Sequence, residues 1–343
     1  MEAKMLSQVR LGLLEKRQVL ADWLRSAPAR KRRLRLGPAD EEAVQAQLRV
    51  LDTALEESAT ETLGLCSVCH EPVGTELLQM DYTRCVCLDH LSPRELSRLE
   101  YELELSQVVQ QALLPQELPE IPGLELAVFS RPAEIIGGDY FDFFRFEDGA
   151  HGLAIADVAG KGVSASILMA SLQTALRGLA PIDESPVHVL ERLNRLFCHN
   201  INFTTFVTVF LGAFEPATRS LTYANAGHNP PLLLRNQAGG RDGLCWLSPT
   251  GAAIGLVEGA QFTEERVRLE PGDVLLLYTD GVTETLNQQE EIFGQERLAA
   301  FVRREASASV RDLVQGLRQE LAEFALGQSL ADDTTIMACR VVA

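Results

Sequence analysis

The 343-residue chain contains no apolar run of the roughly 18 residues or more that a membrane-crossing helix needs. Its first twenty residues, MEAKMLSQVRLGLLEKRQVL, are charged throughout and hold no unbroken apolar stretch, so they do not read as a secretory signal. No membrane partner is expected, and the expected compartment is the cytoplasm. Positive charge is scarce: 31 Lys and Arg stand against 48 Asp and Glu, a formal charge of −17. A protein that coats nucleic acid over its whole surface is excluded, and nucleic acid is not an expected partner. There is no internal repeat. Cysteine is sparse outside one cluster: Cys66, Cys69, Cys85 and Cys87 lie close together, whereas Cys198, Cys245 and Cys339 are scattered and read as small core residues. A cytosolic disulfide framework is not expected, so the cluster points to metal. What is present, 46% hydrophobic and 23% charged residues, belongs to a folded chain long enough for two or three domains.

The N-terminal part reads as helix. Leu6, Val9, Leu13, Val19, Leu20 and Leu24 recur near helical spacing. SAPARKRRLRLGPAD then interrupts with two prolines, a glycine and a basic block at Arg30, Lys31, Arg32, Arg33 and Arg35. The pattern resumes at Val44, Leu48, Leu51 and Leu55, with Asp40 as a candidate N-cap. Residues 1–62 are therefore expected to form a helical hairpin with a basic tip. Residues 63–92 hold the cysteine cluster. Ser92–Pro93 is a good N-cap and first-turn pair for a helix over 93–115, with Leu96, Leu99, Leu103, Val109 and Leu113 as its apolar face. That face suits another helix, so a homodimer through this linker is expected. From residue 116 onwards the texture changes. LELAVFS, GLAIADV, FVTVFLGAF, LTYANA, PLLLR, DVLLLYTD and TTIMACRVV read as strands. Helices are expected over Val163–Ala180, Pro186–Asn200, Glu296–Glu305 and Ser309–Ala325. The turn EPATRS, with Pro216 stopping the strand, marks a hairpin. Residues 116–343 thus read as an α+β fold, a mostly antiparallel β-sandwich flanked by helices.

Four places share one design, an Asp at the end of an apolar strand beside Gly or a turn: Asp139 in IIGGDYFDFF, Asp157 in GLAIADVAGKG, Asp280 in VLLLYTDGVTE, and Asp332–Asp333 in LADDTTIM. One such Asp is ordinarily a turn residue. Four leaving buried strands need a partner, and Lys161 is the main basic residue nearby. If the strand ends converge, hard oxygen donors in this number suit Mg²⁺ or Mn²⁺ rather than zinc.

GGDYFD, DVAGKG, NAGHNPP, TDGVTE and DDTT follow the order and spacing of PPM-type serine/threonine phosphatases of the SpoIIE/RsbU branch. The resemblance implies a central β-sandwich with two metal ions in a cleft at one end. It implies that Asp139, Asp157, Asp280 and Asp332 are the catalytic ligands, with the backbone carbonyl of Val158 as a further one. Asp333 is counted with this metal set as the residue that positions waters or its neighbour. The implied reaction is hydrolysis of phosphoserine or phosphothreonine on a partner protein by a hydroxide bridging the two ions, with an anti-sigma-factor antagonist as candidate substrate. Lys161 is a candidate phosphate ligand; its alternative is a salt bridge with Asp142 or a neighbour. Animal members carry a His where this chain has Ala159, which leaves the general acid unassigned. Asn225 and His228 of YANAGHNPP are expected to form a structural turn beside the cleft. YTDGVT also resembles the DxDG loop of haloacid-dehalogenase phosphatases, but their nucleophilic Asp is replaced by Tyr278.

The cysteine segment GLCSVCHEPVGTELLQMDYTRCVCLDH permits two metal sets: four cysteines, or Cys66, Cys69, Cys87 and His90. The second makes two tight knuckles, each aiming two side chains at one ion, and is preferred. It resembles the zinc finger of the DksA/TraR family and implies one Zn²⁺. The DksA hairpin tip is acidic and reaches into RNA polymerase; here the tip is basic, so polymerase binding is not carried over. Two other readings compete with the enzyme: a non-catalytic scaffold, and a transcription-complex binder acting through the hairpin and finger.

Overall fold

The computed structural model describes residues 41–59, 65–66, 68–71, 90, 92–183, 185–200, 206–236, 243–326 and 332–342, with isolated positions between 10 and 25. The chain divides into two compact units, Met1–Tyr101 and Glu102–Ala343.

In the first unit, α1 (Glu41–Ala59) follows the expected period. Leu13, Leu51 and Ala54 form a small buried cluster with Leu55 against it, and Arg17 ion-pairs with Asp52. The expected basic tip lies outside the described residues. The division falls inside helix α2 (Pro93–Leu113). Its apolar residues do not share one face. Leu99, Leu103 and Leu113 are half-buried, while Leu96 and Val109 are exposed together with Tyr101, Leu105 and Val108. The reason is angular: six residues beyond Leu103 lie about 240° around a helix, so Val109 leaves the face that Leu103 occupies.

The second unit is a sandwich of two five-stranded antiparallel sheets. The first has the order β1 (Leu124–Arg131), β10 (Thr334–Val341), β9 (Val274–Tyr278), β6 (Leu232–Leu234), β7 (Leu244–Trp246). The second has the order β2 (Tyr140–Arg145), β3 (His151–Val158), β4 (Val207–Glu215), β5 (Ser220–Ala226), β8 (Glu265–Arg268). Strands read from the sequence are present, and the β4–β5 hairpin closes at Glu215 opposite Ser220, around the expected turn. Strands β2, β7 and β8 were not expected.

Each central strand is buried on both faces, which is why VLLLY and GLAIADV run apolar without alternation. Alternate residues still part company by the two-residue period of a strand. Phe141, Leu153, Ile155, Leu275, Leu277, Met337 and Cys339 fill the space between the sheets. Their neighbours Ala154, Ala156, Val209 and Leu211 face α3 (Gly162–Leu179) and α4 (Pro186–Asn200) through Met169, Leu172, Leu176, Leu190 and Leu193. Leu276, Tyr278, Ile336 and Ala338 pack with α6 (Gly294–Arg304) and α7 (Val310–Ala325) through Leu298, Phe301, Leu313 and Leu317. Each large side chain buried this way contributes about 1.5–3 kcal/mol. The short α5 (Asp280–Thr283) follows β9 directly.

β2 carries an acid within this core. Asp142 is fully buried, and Arg177 of α3 clamps it with two hydrogen bonds of 2.7 and 2.8 Å while Tyr140 donates its hydroxyl. A buried carboxylate requires such a partner. The suggested alternative pairing of Lys161 with Asp142 is therefore replaced: Asp142 belongs to Arg177.

Candidate active site

At one end of the sandwich the inward-facing series changes character. Two residues before Phe141 comes Asp139; two after Ile155 comes Asp157; two after Leu277 comes Thr279; two before Met337 comes Thr335. The register pairs Tyr140 with Ala156, so the next step outward sets Asp139 beside Asp157 on the second sheet. It pairs Ile336 with Tyr278, so the same step sets Thr335 beside Thr279 on the first. The two threonine hydroxyls donate across the sandwich to one oxygen, Oδ2 of Asp139, at 2.7 and 2.8 Å. Oδ1 of Asp139 is buried and has no hydrogen-bond partner among the described residues. Asp280 opens α5 at the end of β9, and Asp332 and Asp333 precede β10.

Asp139, Asp157 and Asp280 resist ionisation. Burial, then Asp157, pushes Asp139 well above the usual carboxylate range. Burial raises Asp157 to about 7, assisted by Asp280, Asp332, Asp333 and Glu284. Burial and Glu284, then Asp332, raise Asp280 to about 6. Cross-strand like charges are destabilising unless neutralised. Among the described residues the ammonium close by is that of Lys161, 3.3 Å from Asp332. A buried carboxylate oxygen without a donor, set among three further acids, is a hard-oxygen set that fits Mg²⁺ or Mn²⁺.

Asp333 has a different role. Its Oδ1 accepts from Ala133 N–H at 2.8 Å and its Oδ2 from Gly138 N–H at 2.5 Å, so it holds the loop that delivers Asp139. Two glycines permit this approach. A Cβ on Gly137 would stand 2.3 Å from Asp333 Oδ2, and one on Gly281 2.0 Å from the Asp333 carbonyl. The Val158 carbonyl lies over Gly138, 2.9 Å from where a Cβ would be. From the other side, Gln110 of α2 bonds both backbone groups of Gly137.

His228 is fully buried in its turn. Its N–H donates to Asn225 Oδ1, its Nδ1 meets Thr208 Oγ1 at 2.9 Å, and burial lowers it to about 4, so the ring is neutral near pH 7. Thr208 in turn reaches the backbone carbonyl of Asp157 at 3.4 Å.

Sequence reasoning missed Thr279, Thr335, Glu284 and Gln110. The first two stand in the quoted TDGVTE and DDTT neighbourhoods, and Glu284 lies one helical turn after Asp280, where it faces the same acids. No local signal marks Gln110.

In the first unit, Cys66, Cys69 and His90 bring their ligand atoms within 4.8 Å of one another. Cys66 Sγ is 3.9 Å from His90 Nδ1, and Val68 N–H points at the same sulfur at 3.5 Å. The turn is tight: Cys66 N–H bonds Glu71 O and His70 N–H bonds Cys66 O, both at 2.8 Å. Cys85 and Cys87 lie outside the described residues.

Comparison with known proteins bears on the second unit. Residues 147–342, more than half the chain, match the family described as Stage II sporulation protein E (SpoIIE). The chain belongs to the SpoIIE family. A SpoIIE relative, Phosphoserine phosphatase RsbU of Bacillus subtilis (strain 168), is 28% identical over 243 residues, 71% of this chain and 70% of that protein. The SiaA-PP2C domain of Pseudomonas aeruginosa superposes with a TM-score of 0.61 at 21% identity, covering 72% of this chain and 98% of that one. The RsbU and RsbW domains of Rv1364c from Mycobacterium tuberculosis give a TM-score of 0.55 at 28% identity, over 67% of this chain and 63% of that one. The α+β architecture is accordingly that of the PP2C-like phosphatases, and the chain carries a SpoIIE-type PPM phosphatase domain.

Proposed function

We propose that this protein hydrolyses phosphoserine or phosphothreonine on a partner protein with two Mn²⁺ or Mg²⁺ ions held by Asp139, Asp157, Asp280 and Asp332. The observation that carries the reading is the convergence of these acids on the sandwich mouth, with Asp139 Oδ1 buried and lacking a donor. Bound divalent ions would supply an acidified water and screen the phosphate charge. The chain's own residues do the rest. Asp139 and Asp157 offer oxygens from the second sheet, Asp280 and Asp332 from the first, with the Val158 carbonyl as a further donor. Asp333 belongs to this set as a positioning residue, because both its oxygens already hold backbone N–H groups. Lys161, at the start of α3 and beside Asp332, is placed to orient a substrate phosphate.

A relative named phosphoserine phosphatase RsbU, and a chain that joins RsbU and RsbW domains, support partner-switching signalling as the setting. The proposed substrate is thus a phosphorylated anti-sigma-factor antagonist. The proposed organisation is a helical hairpin over 1–62, a zinc finger over 63–92, a linker helix over 93–115 and the phosphatase domain over 116–343. In the finger, Cys66, Cys69, Cys87 and His90 would hold one Zn²⁺; the grouping of three of them supports that set. The exposed side of α2 would mediate a homodimer.

The test is Mn²⁺-dependent hydrolysis of a phosphoserine peptide. Asp157→Asn should lose at least about 10²-fold in turnover while retaining the fold, since removing a ligand disables the metal chemistry. A variant as active as wild type would reject the site.

A further inference from the structure

The inward-facing threonines at the mouth present an arrangement to which the phosphatase reading assigns no role. Thr279 and Thr335 stand one step beyond the last ladder pair of β9 and β10, Tyr278 with Ile336. Asp139 and Asp157 stand one step beyond that of β2 and β3, Tyr140 with Ala156. The only hydrogen bonds of the Asp139 carboxylate among the described residues come from the opposing threonines, and both end on Oδ2.

The direction of each hydrogen bond follows from its neighbours. Thr335 N–H donates to Thr279 Oγ1 at 2.9 Å, so one lone pair of that hydroxyl is occupied from behind and its proton is directed to Asp139. Thr335 Oγ1 lies 2.9 Å from Ser130 Oγ and 2.7 Å from Asp139 Oδ2. With a cation on Oδ1 the Asp139 carboxylate is ionised and only accepts, so Thr335 then donates to Asp139 and Ser130 to Thr335. Every proton in the network therefore runs towards one oxygen. Oδ2 is saturated by two neutral donors, and Oδ1, equally buried, is left for a cation. The donors come from Thr279, just after β9, and Thr335, in β10, while the acceptor Asp139 stands just before β2, so the direction of the free oxygen is set by the spacing of the two sheets.

We infer that Thr279 and Thr335 are positioning residues for metal binding: their hydroxyls lock the Asp139 carboxylate in the rotamer that reserves Oδ1 for one of the two ions. Neither threonine touches substrate. The inference rests on the two-metal reading above. Hydrogen-bonded partners that orient a metal-ligating carboxylate typically change metal affinity by about 10- to 100-fold when removed.

The experiment measures Mn²⁺ binding to the whole 343-residue chain by calorimetry and by Mn²⁺ electron paramagnetic resonance, with no substrate present. Thr335→Val and Thr279→Val keep shape but remove the donor, and each should weaken the affinity of one Mn²⁺ by at least about tenfold. Thr335→Ser and Thr279→Ser restore a donor and should stay within about threefold of wild type. If a valine variant does not fold, Cys is compared with Ser at the same position: the two have one shape, but the thiol is a weak donor, and Cys should bind Mn²⁺ as poorly as valine was expected to. Folded valine variants with wild-type affinity overturn the inference, as does a serine variant that loses as much as valine. A wild-type protein that takes up no Mn²⁺ overturns the two-metal reading itself, a result distinguishable from either.

Discussion

The side-chain amide of Gln110 and the backbone of Gly137 form a reciprocal pair: Gln110 Nε2 donates to the Gly137 carbonyl at 2.5 Å, and Gln110 Oε1 accepts from Gly137 N–H at 3.1 Å. Gln110 lies in the last turn of α2, and Gly137 stands two residues before Asp139. The loop that delivers Asp139 is thus held between a helix amide and the Asp333 carboxylate. Removing hydrogen bonds to such backbone groups costs about 1–3 kcal/mol. Gln110→Ala is expected to raise the Mn²⁺ concentration for half-maximal phosphatase activity by about 3- to 30-fold and to lower the melting temperature by roughly 2–10 °C. Gln110→Glu, which loses the donor and sets a carboxylate against the Gly137 carbonyl, should be worse. An unshifted Mn²⁺ requirement in both would show that the contact does not bear on the site.

A second expectation concerns pH. Asp157 and Asp280 are raised to about 7 and about 6 in the folded state from an ordinary 3.8. Between about pH 4 and 7 the folded chain then binds more protons than the unfolded chain, so stability falls as pH rises. Without divalent ions, the loss from pH 5 to pH 8 should be on the order of 2–4 kcal/mol. Adding Mn²⁺ at pH 8 should restore it, and Asp157→Asn should flatten the dependence. Thermal melts of protein dialysed free of Mn²⁺ and Mg²⁺ check this; greater stability at pH 8 than at pH 5 would contradict it.

The finger separates its two ligand sets by mutation. With Cys66, Cys69, Cys87 and His90 as ligands, Cys85→Ser keeps one zinc per chain and His90→Ala weakens its retention. With four cysteine ligands the two outcomes exchange. Elemental analysis of both variants decides, and a wild-type preparation without zinc would remove the finger from the account.

The exposed side of α2 carries Tyr101, Leu105, Val108 and Ala112 at intervals of four, three and four, the seam of a two-helix contact. Tyr101→Glu/Leu105→Glu is expected to halve the mass measured by light scattering. Leu99→Glu/Leu103→Glu alters half-buried positions and should instead lower stability. A monomeric wild type would reject the dimer.

Much of this architecture was legible because its signals are local. Apolar runs ending in Asp marked β3, β9 and the approach to β10, and Ser309, which accepts from Asp312 N–H, marked the start of α7. What escaped depends on partners far along the chain. β2 was hidden because Asp142 breaks its apolar run, and only Arg177, 35 residues on, makes that acid tolerable. Lys161 was assigned two possible partners because no pattern fixes where a long side chain goes; it meets Asp332. The threonines at the mouth look like ordinary strand residues until two sheets are brought face to face. On α2 an apolar count suggested one stripe, but the helical turn distributes those residues over two.

The place of β10 in its sheet has a consequence for how the protein is made. β10 lies between β1 and β9, and among the described residues β1 has no other ladder partner. A nascent chain emerging from the ribosome must therefore carry β1 with an unpaired edge while all eight intervening strands are synthesised. Such distant pairing is slow to form. Only with the arrival of β10 are the two parts of the sheet joined, and the same segment brings Asp332, Asp333 and Thr335. A copy that stops before β10 would lack both the strand that joins β1 to β9 and these side chains.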